Sequence, residues 1–220
     1  MWLALIPAAY LLGTFPSAAL VATASGVDIT ATGSGNPGAS NVTRTLGWRK
    51  GVLVFALDAV KGAFATLVGL WLGQRVGGYG LGAAAIVGHV LPLMRRLRGG
   101  KGVATGGGVI TVLHPVVGLV VATIWVVVSR LTGKAAVASI AAVVAAPIGL
   151  AVTGAPAWEF AAIVGLCGLL VARHAGNIRR ILRREERGIG FTPVRPGVGN
   201  GAGAGAVGSG PLGRGPGNGE

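Results

Sequence analysis

Three polar segments carry most of the residues that could do chemistry in this otherwise apolar chain. The first is Gly33-Ser34-Gly35-Asn36-Pro37-Gly38-Ala39-Ser40-Asn41-Val42-Thr43-Arg44. Its glycines leave backbone N–H groups open to approach. Ser34, Asn36, Ser40, Asn41 and Thr43 add small hydrogen-bonding groups, and Arg44 adds a planar cation. Such a loop suits an anion, phosphate above all. The second runs from Gly88-His89-Val90-Leu91-Pro92 into Arg98-Gly99-Gly100-Lys101-Gly102-Val103-Ala104-Thr105. Here Gly99, Gly100 and Gly102 flank Lys101 where an apolar helix begins, and a helix start favours negative charge. Glycines weaken a helix start unless the backbone must come close to something. The reading taken is that this something is a ligand phosphate. In the third, His174-Ala175-Gly176-Asn177-Ile178-Arg179-Arg180, the spacing puts His174 and Asn177 on one helix face. Histidine can donate to phosphate or exchange a proton near neutral pH, and asparagine both donates and accepts.

Other chemistries lack their residues. There is no CxxC, no HExxH, no GxSxG and no carboxylate cluster, so neither a metal nor a cofactor is expected. The single cysteine, Cys167, lies in an apolar run, which excludes a disulfide within the chain.

The elements that must position these segments are membrane spans. Of 220 residues, 52% are hydrophobic and only 11% charged. Soluble domains carry about 25% charged residues. The net charge of +13 then marks loops on one side of a membrane, with no nucleic acid implied. Apolar stretches cover residues 2–24, 51–72, 79–94, 103–128, 135–152 and 158–172. No basic residue precedes the first, so it reads as a retained span. The stretch 103–128 contains His114-Pro115, and proline disfavours helix at the residue before it. A break there gives seven transmembrane helices, with the N-terminus outside and the C-terminus cytoplasmic. Then 17 of the 19 Lys and Arg face the cytoplasm, as the positive-inside rule prefers, and all three polar segments share that face. The consequence is a short fourth span. Asp58 and Lys61, three residues apart inside the second span, are expected to pair. The fold class is thus an all-α integral membrane protein. Residues 1–187 form the seven-span domain. Residues 188–220, rich in Gly, Pro and Ala and without periodicity, read as a disordered tail.

The three segments, in this order, resemble the signature motifs of the PlsY family, bacterial membrane acyl-phosphate:glycerol-3-phosphate acyltransferases. Tyr10-Leu11-Leu12-Gly13 with Pro16, Gly26-Val27-Asp28, and Asp58 with Lys61-Gly62 add to a likeness over about residues 5–187. Three departures are visible. Arg98 stands where the family usually has Lys, Ser40 where Thr is commoner, and Arg184 at a position usually Gly, which bears on the local turn.

The resemblance implies a multi-pass protein of the bacterial inner membrane with its active site facing the cytoplasm. It implies acyl transfer from acyl phosphate to the 1-hydroxyl of glycerol 3-phosphate, giving lysophosphatidic acid. A soluble enzyme that makes acyl phosphate would be a partner. The catalytic candidates are Ser34, Lys101 and His174. The substrate-binding candidates are Gly35, Asn36, Asn41, Arg44, Gly99, Gly100, Gly102 and Asn177. Acyl phosphate is already activated, so the task is to hold two anions together and aim a hydroxyl at the acyl carbonyl. Either His174 or a substrate phosphate could take the hydroxyl proton. The absence of a carboxylate from the motifs favours the phosphate. Two other classes fit less well: a transporter would show internal repeats and a midplane site, and a lipid-binding scaffold would not need shaped Gly-Gly-Lys-Gly and Ser-Gly-Asn settings.

Overall fold

The computed structural model describes residues 1–190, all helices and connecting turns. The tail expected over 188–220 lies outside the described residues from 191 onward.

A 3-10 turn, Trp2–Leu5, leads into α1 (Ile6–Gly13) and then α2 (Ser17–Thr23). The first expected span is therefore interrupted. Pro16 has no N–H to continue a helix and adopts φ −90°, ψ 59°. The carbonyl of Phe15, freed by the break, accepts a hydrogen bond from Lys61 Nζ at 3.2 Å. The first motif loop then leads into a short helix, α3 (Ala39–Leu46).

Helix α4 (Trp48–Val90) has 43 residues, but Gly73 (φ −149°) and Gln74 (φ 52°) are not helical. A straight helix of that length would reach about 65 Å, twice a bilayer core. The turn splits it into two limbs, which are the second and third expected spans. At Gly69 and Gly77 the limbs approach so closely that neither position has room for a side chain.

Helix α5 (Val103–Leu113) has 11 residues. It reaches about 16 Å, half a bilayer core. His114 (φ −139°, ψ 80°) separates it from α6 (Pro115–Thr132), so the apolar run breaks at His114-Pro115 as expected. Side chains at Gly62 and Gly108 would collide with the Thr105 and Ala59 carbonyls across the α4–α5 contact. Small residues permit this backbone approach where lipid supplies no hydrophobic drive between helices. Helices α7 (Ala135–Val152) and α8 (Ala157–Arg173) complete the bundle. Helix α9 (Ala175–Leu182) bends 59° away from α8.

Four helical stretches are long and apolar enough to cross a membrane: Trp2–Thr23, Trp48–Arg95, Pro115–Thr132 and Ala135–Val152. The bent α8–α9 pair makes a fifth. The core joins Tyr79, Val109, Leu113, Leu150 and Leu170, while Trp71, Val60 and Leu119 lie exposed on the outside. An apolar belt of this extent belongs in lipid. The protein is an all-helical integral membrane protein.

Candidate active site

The first motif loop is held from within. Asn41 is 1% exposed and its carboxamide is fully engaged. Its Oδ1 accepts the Ser34 N–H at 2.9 Å, and its Nδ2 donates to the carbonyls of Ile29 (3.1 Å) and Thr32 (3.0 Å). Asn41 therefore shapes the loop from within, and it also borders the cavity described below. Gly33 (φ 64°) and Gly35 (φ 68°) supply left-handed turns that other residues rarely adopt. Helix α3 presents Arg44, whose Nε donates to the Ser40 carbonyl at 3.2 Å. That tether leaves the two Nη groups for a ligand.

The second motif also changes meaning. Gly100 N–H donates to the His89 carbonyl at 3.1 Å. A side chain at Gly99 or Gly100 would collide with the end of α4 or with the His89 ring. Close approach to the end of α4 by itself requires glycine at both positions. Gly102 (φ 80°) makes the left-handed turn that starts α5. Beneath the loop lies a buried charge cluster. Asp58 pairs with Lys61 at 2.8 Å, Ser17 donates to Asp58 at 2.7 Å, and Lys61 Nζ meets His89 Nδ1 at 2.8 Å. The expected Asp58–Lys61 pair is present, and it fastens the end of α4 on which Gly100 rests.

The third motif occupies the α8–α9 bend. His174 is 2% exposed, and its Nδ1 lies 2.8 Å from the Leu170 carbonyl. A carbonyl only accepts, so Nδ1 carries the proton and a neutral ring keeps its lone pair on Nε2. Asn177 Nδ2 donates to Glu186 at 2.9 Å, and Arg180 Nε donates to the other oxygen of Glu186 at 3.0 Å. Arg184 keeps a left-handed turn (φ 60°) where glycine would adopt it without strain.

The motifs converge on one cavity of about 330 Å³. Its polar end is lined by Ser34, Asn36, Arg44, Lys101, His174 and Asn177, with Asn41 and Gly102 at the wall. Gly35, Gly99 and Gly100 are not among its lining residues; Gly99 and Gly100 border a separate small cavity of about 20 Å³. An apolar limb continues past Val52, Phe55, Val103, Ala122, Trp125 and Val126. Trp125 is fixed there by its indole N–H on Ser139 Oγ at 3.1 Å. Burial brings the Lys101 ammonium down to about 8, and the Glu186 carboxylate opposes that fall. Among the described residues no cluster of three metal-binding side chains occurs.

Sequence reasoning missed Glu186 and Arg187 as cavity residues, together with Trp125 and Ser139. Glu186 follows the third motif closely, so its place there was a usable signal. Nothing in the spacing of Trp125 distinguished it from any other aromatic residue in a span.

Fold and cavity together define a helical membrane protein that joins a cationic, phosphate-suited end to a limb suited to an alkyl chain. The chain belongs to the glycerol-3-phosphate acyltransferase family, whose profile matches residues 3–184. It is 41% identical over 182 residues to glycerol-3-phosphate acyltransferase 1 of Deinococcus radiodurans, covering 82% of this chain and 92% of that one. It is 40% identical over 191 residues to a glycerol-3-phosphate acyltransferase of Thioalkalivibrio sulfidiphilus, covering 85% of this chain and 93% of that one. Among solved structures it resembles the integral membrane glycerol 3-phosphate acyltransferase PlsY in its glycerol 3-phosphate form. The TM-score is 0.81 and the identity 36%, over 85% of this chain and 94% of that chain. The lysophosphatidic acid form of PlsY matches with a TM-score of 0.79.

Proposed function

We propose that this protein transfers a fatty acyl group from acyl phosphate to the 1-hydroxyl of sn-glycerol 3-phosphate. The products are lysophosphatidic acid and inorganic phosphate. One observation carries the reading: a single cavity joins a cationic end to an apolar limb. The cationic end fits two phosphates and the limb fits an acyl chain that enters from the bilayer. Relatives named as glycerol-3-phosphate acyltransferases, and PlsY structures in glycerol 3-phosphate and lysophosphatidic acid forms, support it.

Lys101 and Ser34 grip the acyl-phosphate head, and Arg44, His174 and Asn177 hold glycerol phosphate. The hydroxyl oxygen attacks the acyl carbonyl, the bond from that carbon to the phosphate oxygen breaks, and phosphate leaves. Lys101 and Arg44 offset the charge that develops on the carbonyl and leaving oxygens. The hydroxyl proton passes to the departing phosphate. His174 Nε2, with its lone pair, directs the hydroxyl. Positioning supplies most of the acceleration, because the donor is already activated.

The site faces the cytoplasm of a bacterial inner membrane in a seven-span arrangement. The seven helical segments are α1–α2, the two limbs of α4, and α5 to α8. The basic residues of the motifs, all at one end of these segments, support that orientation. A soluble enzyme supplies the acyl phosphate.

The test is lysophosphatidic acid formation by purified protein given glycerol 3-phosphate with either acyl phosphate or acyl-CoA, with phosphate or CoA thiol release as the matching second readout. Turnover with acyl phosphate and none with acyl-CoA is expected. Turnover with acyl-CoA alone would overturn the donor assignment, and no turnover with either would overturn the reading.

A further inference from the structure

Glu186 has no part in the acyl transfer described above, yet it is a cavity-lining carboxylate surrounded by cations. It is 8% exposed. Arg44, Lys101, Arg180 and Arg187 surround it, with His174 close by. One oxygen accepts from Asn177 at 2.9 Å and the other from Arg180 at 3.0 Å. The segment that carries it crosses the polar mouth and is tied at both sides. Arg187 donates to the Gly33 carbonyl in the first motif loop, and Ile189 N–H donates to the Gly133 carbonyl at 2.8 Å in the α6–α7 turn.

We infer that Glu186 is a positioning residue for the glycerol phosphate subsite, which it builds by orienting Asn177, with Arg180 as its second anchor, and by acting as counter-ion to the cations around it. The inference rests on the acyltransfer reading. Two hydrogen bonds to one carboxylate fix the rotamers of both partners. One Asn177 amide proton and its Oδ1 remain for a ligand. An anion out of water needs matched donors, and for Glu186 those donors are Asn177, which lines the cavity, and Arg180. The charge also limits repulsion among the half-buried Arg44, Lys101 and Arg180 when no substrate anion is present. Arg187 and Ile189 hold the segment in place, so the carboxylate is delivered to the same point each time.

The experiment compares wild type, Glu186→Gln and Glu186→Asp with varied glycerol 3-phosphate and varied acyl phosphate, over pH 6–9.5. Glu186→Gln keeps the shape and removes the charge. It is expected to lower kcat/KM for glycerol 3-phosphate by roughly tenfold or more, the worth of one lost charged hydrogen bond. KM for acyl phosphate should change less than threefold. The alkaline limb of the rate, assigned to Lys101, should move to lower pH, because its nearest opposing carboxylate is gone. Glu186→Asp should recover part of the loss. In an Asn177→Ala background the same substitution should cost far less, since its route is already removed.

Unchanged glycerol 3-phosphate kinetics in Glu186→Gln would overturn the inference. So would an equal loss for both substrates with an unmoved pH profile and a lowered melting temperature, which is the pattern of a merely structural residue. Should Glu186→Gln not fold, Glu186→Asp and the Asn177→Ala pair decide the matter alone. Failure of wild type to turn over would sink the acyltransfer reading itself, a result separable from an active wild type with an indifferent Glu186 variant.

Discussion

The two ends of the helix bundle hold similar side chains and arrange them oppositely. At the end away from the cavity, Arg75 is ion-paired with Glu159, which is 0% exposed. Tyr79 OH donates to Glu159 at 3.0 Å and meets His114 Nε2 at 2.7 Å, while Arg75 also reaches the Leu113 carbonyl at 3.3 Å. Every charge there has its partner. These bonds join the second limb of α4 to the α5–α6 break and to the start of α8. At the cavity end, Arg44, Lys101, Arg180 and Arg187 gather around Glu186. A balanced cluster needs nothing from outside and serves to fasten helices. A cluster with surplus cations is incomplete until anions arrive. The lesson is that charge balance separates scaffold from site more sharply than residue type does.

The comparison breaks first at the surplus cations. Lys101→Ala and Arg44→Ala should each lower kcat/KM by about a hundredfold or more, as expected for removing a preorganised partner of developing charge. Their melting temperatures in detergent should match wild type, because neither cation closes an ion pair. Near wild-type acyl transfer by either variant would show that the surplus is incidental.

A tenfold effect is expected from pH. The Lys101 ammonium, brought down to about 8 by burial, is charged below that pH and neutral above it. Its anion grip is therefore present on the acid side and lost as pH rises through about 8. The rate should fall about tenfold for each further pH unit once the lysine has titrated. Lys101→Arg, whose guanidinium stays charged, should remove that limb even if its different geometry lowers the plateau. A limb that persists unchanged in Lys101→Arg would assign the titration to another group.

Much of this was legible in the sequence, for identifiable reasons. His114-Pro115 predicts the break between α5 and α6 because proline acts locally, and the break is there. Asp58 and Lys61 predict their own pairing because three residues bring side chains together on a helix. The glycines of the second motif were seen, but the partner of their close approach was not. Gly99 and Gly100 make room for the end of α4, a contact between segments that no spacing encodes. The loop-building role of Asn41 was not legible, because a polar residue in a polar loop reveals its type and not its hydrogen bonds. The break at Phe15-Pro16 was passed over because the surrounding run is apolar on both sides. The distal cluster was invisible because Arg75, Tyr79, His114 and Glu159 come from three separate segments.

The smallest effect on activity should come from that distal cluster, and it tests the comparison from the other side. Glu159→Gln keeps the shape but removes the counter-ion of Arg75. Arg75 is 44% exposed at its side chain, so solvent screens part of the loss. The cost should lie near the low end of what a hydrogen-bonded charge pair provides, about 1–2 kcal/mol. For a chain of this length that is a drop of roughly 2–8 °C in melting temperature. The kinetic constants for both substrates should remain within about twofold of wild type, because the balanced cluster touches no cavity residue. Tyr79→Phe removes one donor to the same carboxylate and should show a smaller drop of the same kind. Loss of activity without loss of stability in either variant would mean that the two ends communicate. The α4–α5 contact at Gly62 and Gly108 would then be the place to look, because it lies between them.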